Sequence, residues 1–250
     1  MRSFWILWKR EVAAYFRTPR ATILFFFFLL LTGFNFCAGV NALNHGPTET
    51  SIVEAFFNTL FFWIAFLLLI PLLTMHLFSE EYHLGTMETL VTAPVADASI
   101  VLAKFFAALF LFLLLWAPTT FYFMLFWPSA HQIAAASYGS YAGAYGMLLL
   151  LGMFFLSIGC LTSALTSHQL IAGIISCALI VFFFFASMLA FLHRHDSLIM
   201  NKVAARFSIM EHMTHFSRGV IDTRPIVWYV SMTGLVLFLT TIFFQKFRHK

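Results

Sequence analysis

The amino-acid sequence predicts an all-α integral membrane protein. It has six transmembrane helices, an N-terminal interfacial helix, a short helix in a cytoplasmic loop, and short helices before the last span. Three observations lead there. Of 250 residues, 62% are hydrophobic and only 10% charged, against about 25% charge in a soluble domain. So few charges cannot cover a water-facing surface, which excludes a soluble globular enzyme, a disordered chain and a disulfide scaffold. Second, apolar runs of helical length recur along the chain, each near the roughly 20 residues that cross a bilayer. Outer-membrane barrels instead use alternating segments of about 10 residues. Third, the Lys and Arg residues flank these runs, as orientation signals do, and form no phosphate-binding face. No nucleic-acid partner is expected.

The interfacial helix comes first, within residues 1–19. In FWILWKREVAAYF (Phe4–Phe16), Phe4, Trp5, Trp8, Val12, Tyr15 and Phe16 recur at helical spacing, with Lys9, Arg10 and Arg17 on other faces. Such a helix lies in the headgroup region with its apolar side down, and Pro19 breaks it. The six spans follow, over Ala21–Leu43, Ile52–Phe78, Ser99–Trp127, Ser137–Leu165, His168–Leu192 and Pro225–Gln245. The first is longer than the 7–15 apolar residues of a signal peptide and no A-x-A site follows, so it reads as a retained span. Its Asn35 and Asn41 suit a helix packed against others. Pro71 and Pro118 remove backbone donors within spans and mark kinks. The small residues of YGSYAGAYG (Tyr138–Gly146) allow close helix packing. The whole chain, 1–250, reads as a single membrane domain. Its parts are the interfacial helix, spans one to five over 21–192 with the loop 79–98 between the second and third, an outer segment 193–224, and the last span over 225–245.

Orientation follows from the positive charges. Arg2, Lys9, Arg10, Arg17 and Arg20 precede the first span, Lys246, Arg248 and Lys250 follow the last, and Lys104 opens the third. The other five, Arg194, Lys202, Arg206, Arg218 and Arg224, lie between spans five and six. The larger set marks the cytoplasmic side, which places both termini there. Inside the spans ionisable residues are nearly absent; Glu54 and Lys104 are expected at span ends, where long side chains reach water. This argues against a proton-coupled transporter or an ion-conducting pore, which keep such residues in spite of their cost.

The cytoplasmic loop SEEYHLGTMETLVTAPVADA concentrates acidic residues, Glu80, Glu81, Glu88 and Asp97, against the positive-inside trend. Gly85 permits a turn, Thr86 is a good N-cap and Glu88 complements the helix dipole. Pro94 ends the element. The expected helix is Met87–Ala93, with Met87, Leu90 and Val91 forming one apolar strip. It serves either as a docking peg for a cytosolic partner or as a solvated connector resting on the membrane interface. Spacing alone weighs the two equally.

Here the sequence resembles a known family. EEYHLGTMETLVTAPVADASIVLAKF is similar to the signature of ATP-binding cassette (ABC) transporter permeases of the type-2 exporter family. These carry an acidic pair, a Gly-Thr-x-Glu turn, a Leu, a Pro and a Lys entering the next span, matched here by Glu80, Glu81, Gly85, Thr86, Glu88, Leu90, Pro94 and Lys104. The likeness continues through GMFFLSIGCLTSALTSHQLIAG (Gly152–Gly173) and HFSRGVID (His215–Asp222), and looks nearest to the gliding-motility and nitrous-oxide-reductase-maturation branch. The resemblance implies a multi-pass permease of the bacterial inner membrane. Its interfacial helix, with Trp5, Trp8, Lys9 and Arg10, and its coupling helix at Glu80–Pro94 contact a separate cytosolic ATPase. It implies a second permease half, identical or related, a surround of membrane lipids, re-entrant helices before the last span, and in some relatives an accessory protein with an extracytoplasmic domain. ATP and magnesium would belong to the ATPase, with no cofactor in this chain.

The remaining motifs carry less. There is no G-x-x-x-x-G-K-[ST] phosphate loop, so a driving ATPase must be another polypeptide. EHMTH (Glu211–His215) lacks the H-E-x-x-H spacing of a metalloprotease. His193, His195 and Asp196 could join His212 and His215 at a metal, but a polar outer loop accounts for them more simply. Cys37, Cys160 and Cys177 sit singly in apolar runs and read as small hydrophobes. The expected function is a permease subunit driven in trans, set against a non-transporting membrane scaffold and an intramembrane enzyme; for the enzyme the spans supply no acid–base pair.

Overall fold

The computed structural model describes residues 2–44, 51–85, 96–126, 138–192 and 208–248, and every element in them is a helix. In chain order these are α1 (Arg2–Arg17), α2 (Pro19–Asn44), α3 (Ile52–Phe57), α4 (Leu60–Thr74), α5 (Ser79–His83), α6 (Asp97–Trp116), α7 (Thr119–Phe126), α8 (Tyr138–Leu165), α9 (Gln169–Leu192), α10 (Ile209–Ser217) and α11 (Thr223–Arg248). Six stretches are long and apolar enough to cross a membrane: Ala21–Asn41, Leu60–His83, Asp97–Met124, Tyr138–Leu165, Gln169–Ser187 and Thr223–Lys246.

Five of these agree with the sequence reading to within a few residues. The second starts later than expected. Ile52–Phe57 is apolar and helical, but it forms the separate helix α3. Ser51 caps it, its hydroxyl accepting from the Glu54 amide. Thr59 then adopts an extended backbone, and its hydroxyl turns back to donate to the carbonyls of Ala55 and Phe56 at 2.7 and 3.0 Å. That satisfies two terminal carbonyls of α3 and lets α4 begin afresh at Leu60. Pro118 does the same to the third span, which ends as α6 at Trp116 and resumes as α7 at Thr119. The Thr119 hydroxyl donates to Trp116 O at 2.6 Å and lies 2.7 Å from the hydroxyl of Tyr145. Pro71, by contrast, lies near the end of α4 without interrupting it.

The centre of the bundle is α8, which touches α4, α6, α9, α10 and α11. Rings from α3, α4 and α6 fill the space beside it, with Phe56, Phe57, Phe62, Phe66, Phe112 and Trp116 all buried. Most meet edge to face, as for Phe66 and Phe112 (6.0 Å, 87°) or Phe57 and Tyr145 (5.7 Å, 86°). That arrangement sets the positive ring edge against a negative ring face. The small residues of Tyr138–Gly146 are used as anticipated, for close approach: a β-carbon on Gly143 would collide with the main-chain oxygen of Phe216 in α10. The peripheral helices α2, α9 and α11 leave broad apolar faces uncovered.

At the end opposite the termini, α10 packs on α3 and α8. Two rungs join it to α3. Arg218 donates through Nε to Glu54 at 2.8 Å, and Thr214 donates to Asn58 at 3.2 Å. Glu54 is therefore buried, 7% exposed, and does not reach water as the sequence suggested; a cation supplied by a distant segment lets it stay. The HFSRG stretch is the helix stop. Gly219 takes φ +83°, its amide bonds Phe216 O, and the Val220 amide reaches His215 O, which is a Schellman cap.

Candidate functional site

The acidic pair and the interfacial helix meet at the end that carries both termini. A buried cation there decides the arrangement. Lys104, expected near water, is 2% exposed and lies about two turns into α6. Its ammonium donates to Leu77 O at 2.6 Å and to Glu11 Oε2 at 3.3 Å, and forms an ion pair with Glu81 Oε2 at 3.1 Å. The Phe78 ring lies 5.3 Å from it, adding a cation–π contact. Arg10 closes the figure, with Nη2 3.0 Å from Glu11 Oε1 and 3.1 Å from Glu81 Oε1. Arg10, Glu11, Lys104 and Glu81 thus form a ring of alternating sign with no net charge. It joins α1, α5 and α6.

Glu11 is the member the sequence reading missed. A signal existed: it is the single acidic residue of the first forty-eight, set in a basic helix, and a lysine within a span requires a carboxylate somewhere. Burial pushes its carboxyl up, but the charge of Lys104 and the hydrogen bond from Arg10 outweigh that and hold it below the usual carboxylate range.

The ring is one of three ties on the turn between α4 and α5. From α1, the Tyr15 hydroxyl donates to Leu73 O at 2.9 Å, and burial raises its pKa well above the ordinary phenol value. From α8, Ser163 Oγ accepts the amides of Phe78 and Ser79 at 3.0 and 3.3 Å. Ser79 itself donates to Met75 O. Several carbonyls and amides that a helix end would leave open are thus met by side chains, among them Tyr15, Ser163 and Lys104 from other helices. At the far side of α5, Gly85 takes φ +67° after the Leu84 cap, so the chain leaves the helix through a left-handed turn.

The predicted site residues divide accordingly. Arg10 and Glu81 are in the ring, Glu80 stands beside Glu81 on α5, and Gly85 makes the exit turn. Thr86, Glu88, Leu90 and Pro94, with the expected helix Met87–Ala93, lie outside the described residues. On α1, Phe4 and Trp8 pack edge-on against Phe106 and Phe110 of α6, while Trp5, Ile6 and Lys9 stay exposed. The apolar stripe expected to face lipid is therefore split, one part turned to protein. The histidines before the last span go separate ways: His212 is buried 3.3 Å from the Tyr229 hydroxyl, and His215 pairs with Glu211 at 3.6 Å. His193, His195 and Asp196 lie outside the described residues.

Nothing at the joint is poised to make or break a covalent bond. Its groups fasten helices together just before residues 86–95. A family model described as ABC-2 family transporter protein matches residues 5–242, nearly the whole chain and all of this joint. The chain belongs to the ABC-2 transporter family. No curated protein matches it. Membership makes this ABC-2 protein a membrane-spanning component of an ABC transporter, one that works with a cytosolic ATPase and has no ATPase site of its own. In this family member α5 is held by α1, α6 and α8.

Proposed function

We propose that this ABC-2 permease is the membrane half of an exporter of the type-2 class, in the bacterial inner membrane, with both termini cytoplasmic. Its ATPase would press on residues 86–95, with Thr86, Glu88 and Leu90 at the contact, and on the exposed side of α1 at Trp5 and Lys9. The observation that carries this reading is the charge ring at the root of the loop. A solvated connector has no use for a buried lysine bound to carboxylates from two other helices, whereas a segment that transmits force does. Two permease halves, identical or related, would pair, and an extracytoplasmic accessory protein would complete some assemblies. The kinship with gliding-motility and nitrous-oxide-reductase-maturation permeases rests on the three quoted motifs.

The test is coupling. In vesicles holding the permease and its ATPase, Gly85→Val and Glu88→Lys should each leave the permease inserted and the ATPase bound. Permease-stimulated ATP hydrolysis should fall about tenfold, the effect of losing roughly 1.4 kcal/mol of contact. Undiminished stimulation in both variants, at equal ATPase occupancy, would remove the coupling assignment.

A further inference from the structure

At the end opposite the termini, a piece cut from the second span is fastened to a distant part of the chain. α3 stops at Phe57 and α4 starts at Leu60, with Thr59 extended between them. α10 stops just before Gly219, which takes φ +83°, and α11 starts at Thr223. Each short helix can therefore tilt at its own break without bending the long helix that follows it. Their ties differ in strength. Toward α2 and α9 they are single neutral hydrogen bonds: Asn35 donates to Phe56 O at 3.1 Å, and the Ile209 amide donates to Ser187 Oγ at 2.7 Å. Each such bond is worth about fivefold in an equilibrium. On α8, the main chain of Phe216 rests against Gly143, which has no side chain to interlock with it. Between α3 and α10 the tie is ionic. Arg218 meets Glu54 Oε1 through Nε at 2.8 Å and Nη2 at 2.7 Å, and Thr214 adds its bond to Asn58. The Arg218 side chain is 57% exposed, whereas Glu54 sits among Ile52, Val53, Phe56 and Phe57, all fully buried. Parting the pair would strand that carboxylate, at a cost of roughly a hundredfold.

We propose that α3 and α10 move as one body, a lid joined from two separate segments, with Glu54 and Arg218 as the positioning residues that keep it one. When the membrane domain changes shape, the neutral ties to α2 and α9 give way first and the charged one holds. The ion pair thus carries motion from the helix before the last span to the head of the second, across a separation of 164 positions. What moves the lid rests on the permease reading above; its being one body does not.

The experiment uses the complete chain with its ATPase in nanodiscs. The parent carries Cys37→Ala, Cys160→Ala and Cys177→Ala, and its stimulation of ATP hydrolysis is measured first. Asn58→Cys with Thr214→Cys then puts a disulfide in place of the neutral rung. Oxidation should join the two cysteines, and stimulation should stay within about twofold of the parent whether the pair is reduced or oxidised. Adding Glu54→Gln should lower stimulation about tenfold in the reduced protein, the worth of one charge-assisted hydrogen bond. Oxidation should then restore it, which a mere packing defect at residue 54 would not allow. Hydrogen exchange needs no ATPase. It should find the amides of α3 and α10 opening at a common rate in the parent, and at rates about tenfold apart in the reduced Glu54→Gln protein. Cysteines that do not join, stimulation lost on oxidation with Glu54 in place, no rescue of Glu54→Gln by oxidation, or unrelated exchange rates in the parent would each overturn the proposal. A parent that stimulates no hydrolysis would instead remove the permease reading, and the exchange rates would still decide whether the lid is one body.

Discussion

Glu11 shows how one side chain gives a joint its dependence on pH. Its carboxyl is held below the usual range in the folded chain, so it binds a proton more readily once released. The stability it lends is fully present above the ordinary carboxylate value of 4.5 and is lost as pH falls through the lower, folded value. The unfolding midpoint of the protein should therefore exceed that of Glu11→Gln by a constant margin near neutrality, about 1.5 kcal/mol for a charge-assisted bond. The two should converge as the medium is acidified below 4.5. A margin that stays constant to pH 3 would mean that Lys104 and Arg10 do not stabilise the carboxylate. The same residue marks a limit of sequence reading. Helical spacing reports neighbours three or four positions apart, whereas Glu11 and Lys104 are ninety-three apart and Glu54 and Arg218 one hundred and sixty-four. Lys104 could announce that it needed a partner. It could not say which.

Elements were legible where composition alone decides them. Apolar length gave all six spans, and Pro19 and Pro118 gave two true breaks, because a missing amide acts locally whatever surrounds it. The break at Asn58 and Thr59 was not legible, since both residues also occur inside helices and only the extended backbone at Thr59 turns them into a boundary. Likewise the stripe on α1 showed an amphipathic helix without showing that α6 would cover part of it. The glycine-rich start of α8 promised a close neighbour, and α10 is that neighbour. At Gly143 a β-carbon would meet main chain, which cannot swing aside as a side-chain tip can. Gly143→Ala should therefore destabilise the bundle by about 1–3 kcal/mol, the usual cost of overpacking, whereas Gly146→Ala, which meets open space, should be close to neutral. Denaturant titration of the two purified variants checks this. Equal midpoints would show that α10 does not press on α8.

For the molecule as a whole, the two ends are built differently. Opposite the termini, α3 and α10 are laced by two rungs and backed by α8. At the terminal end, one short helix, α5, is gripped by three others and is followed by the left-handed turn at Gly85. The ring at that grip has a consequence in electrical terms. Its two cations and two carboxylates cancel, so moving it as a unit along the membrane normal transfers no charge through the field. A single uncompensated lysine would instead do work of about 2.3 kcal/mol for each 100 mV of potential it crossed. ATP hydrolysis by the assembled transporter in sealed vesicles should therefore hold the same rate when a potassium diffusion potential of either sign is imposed. A rate that tracked the sign of the potential would show that the ring separates during the stroke; a flat response means that the cell can change its membrane voltage without touching this machine.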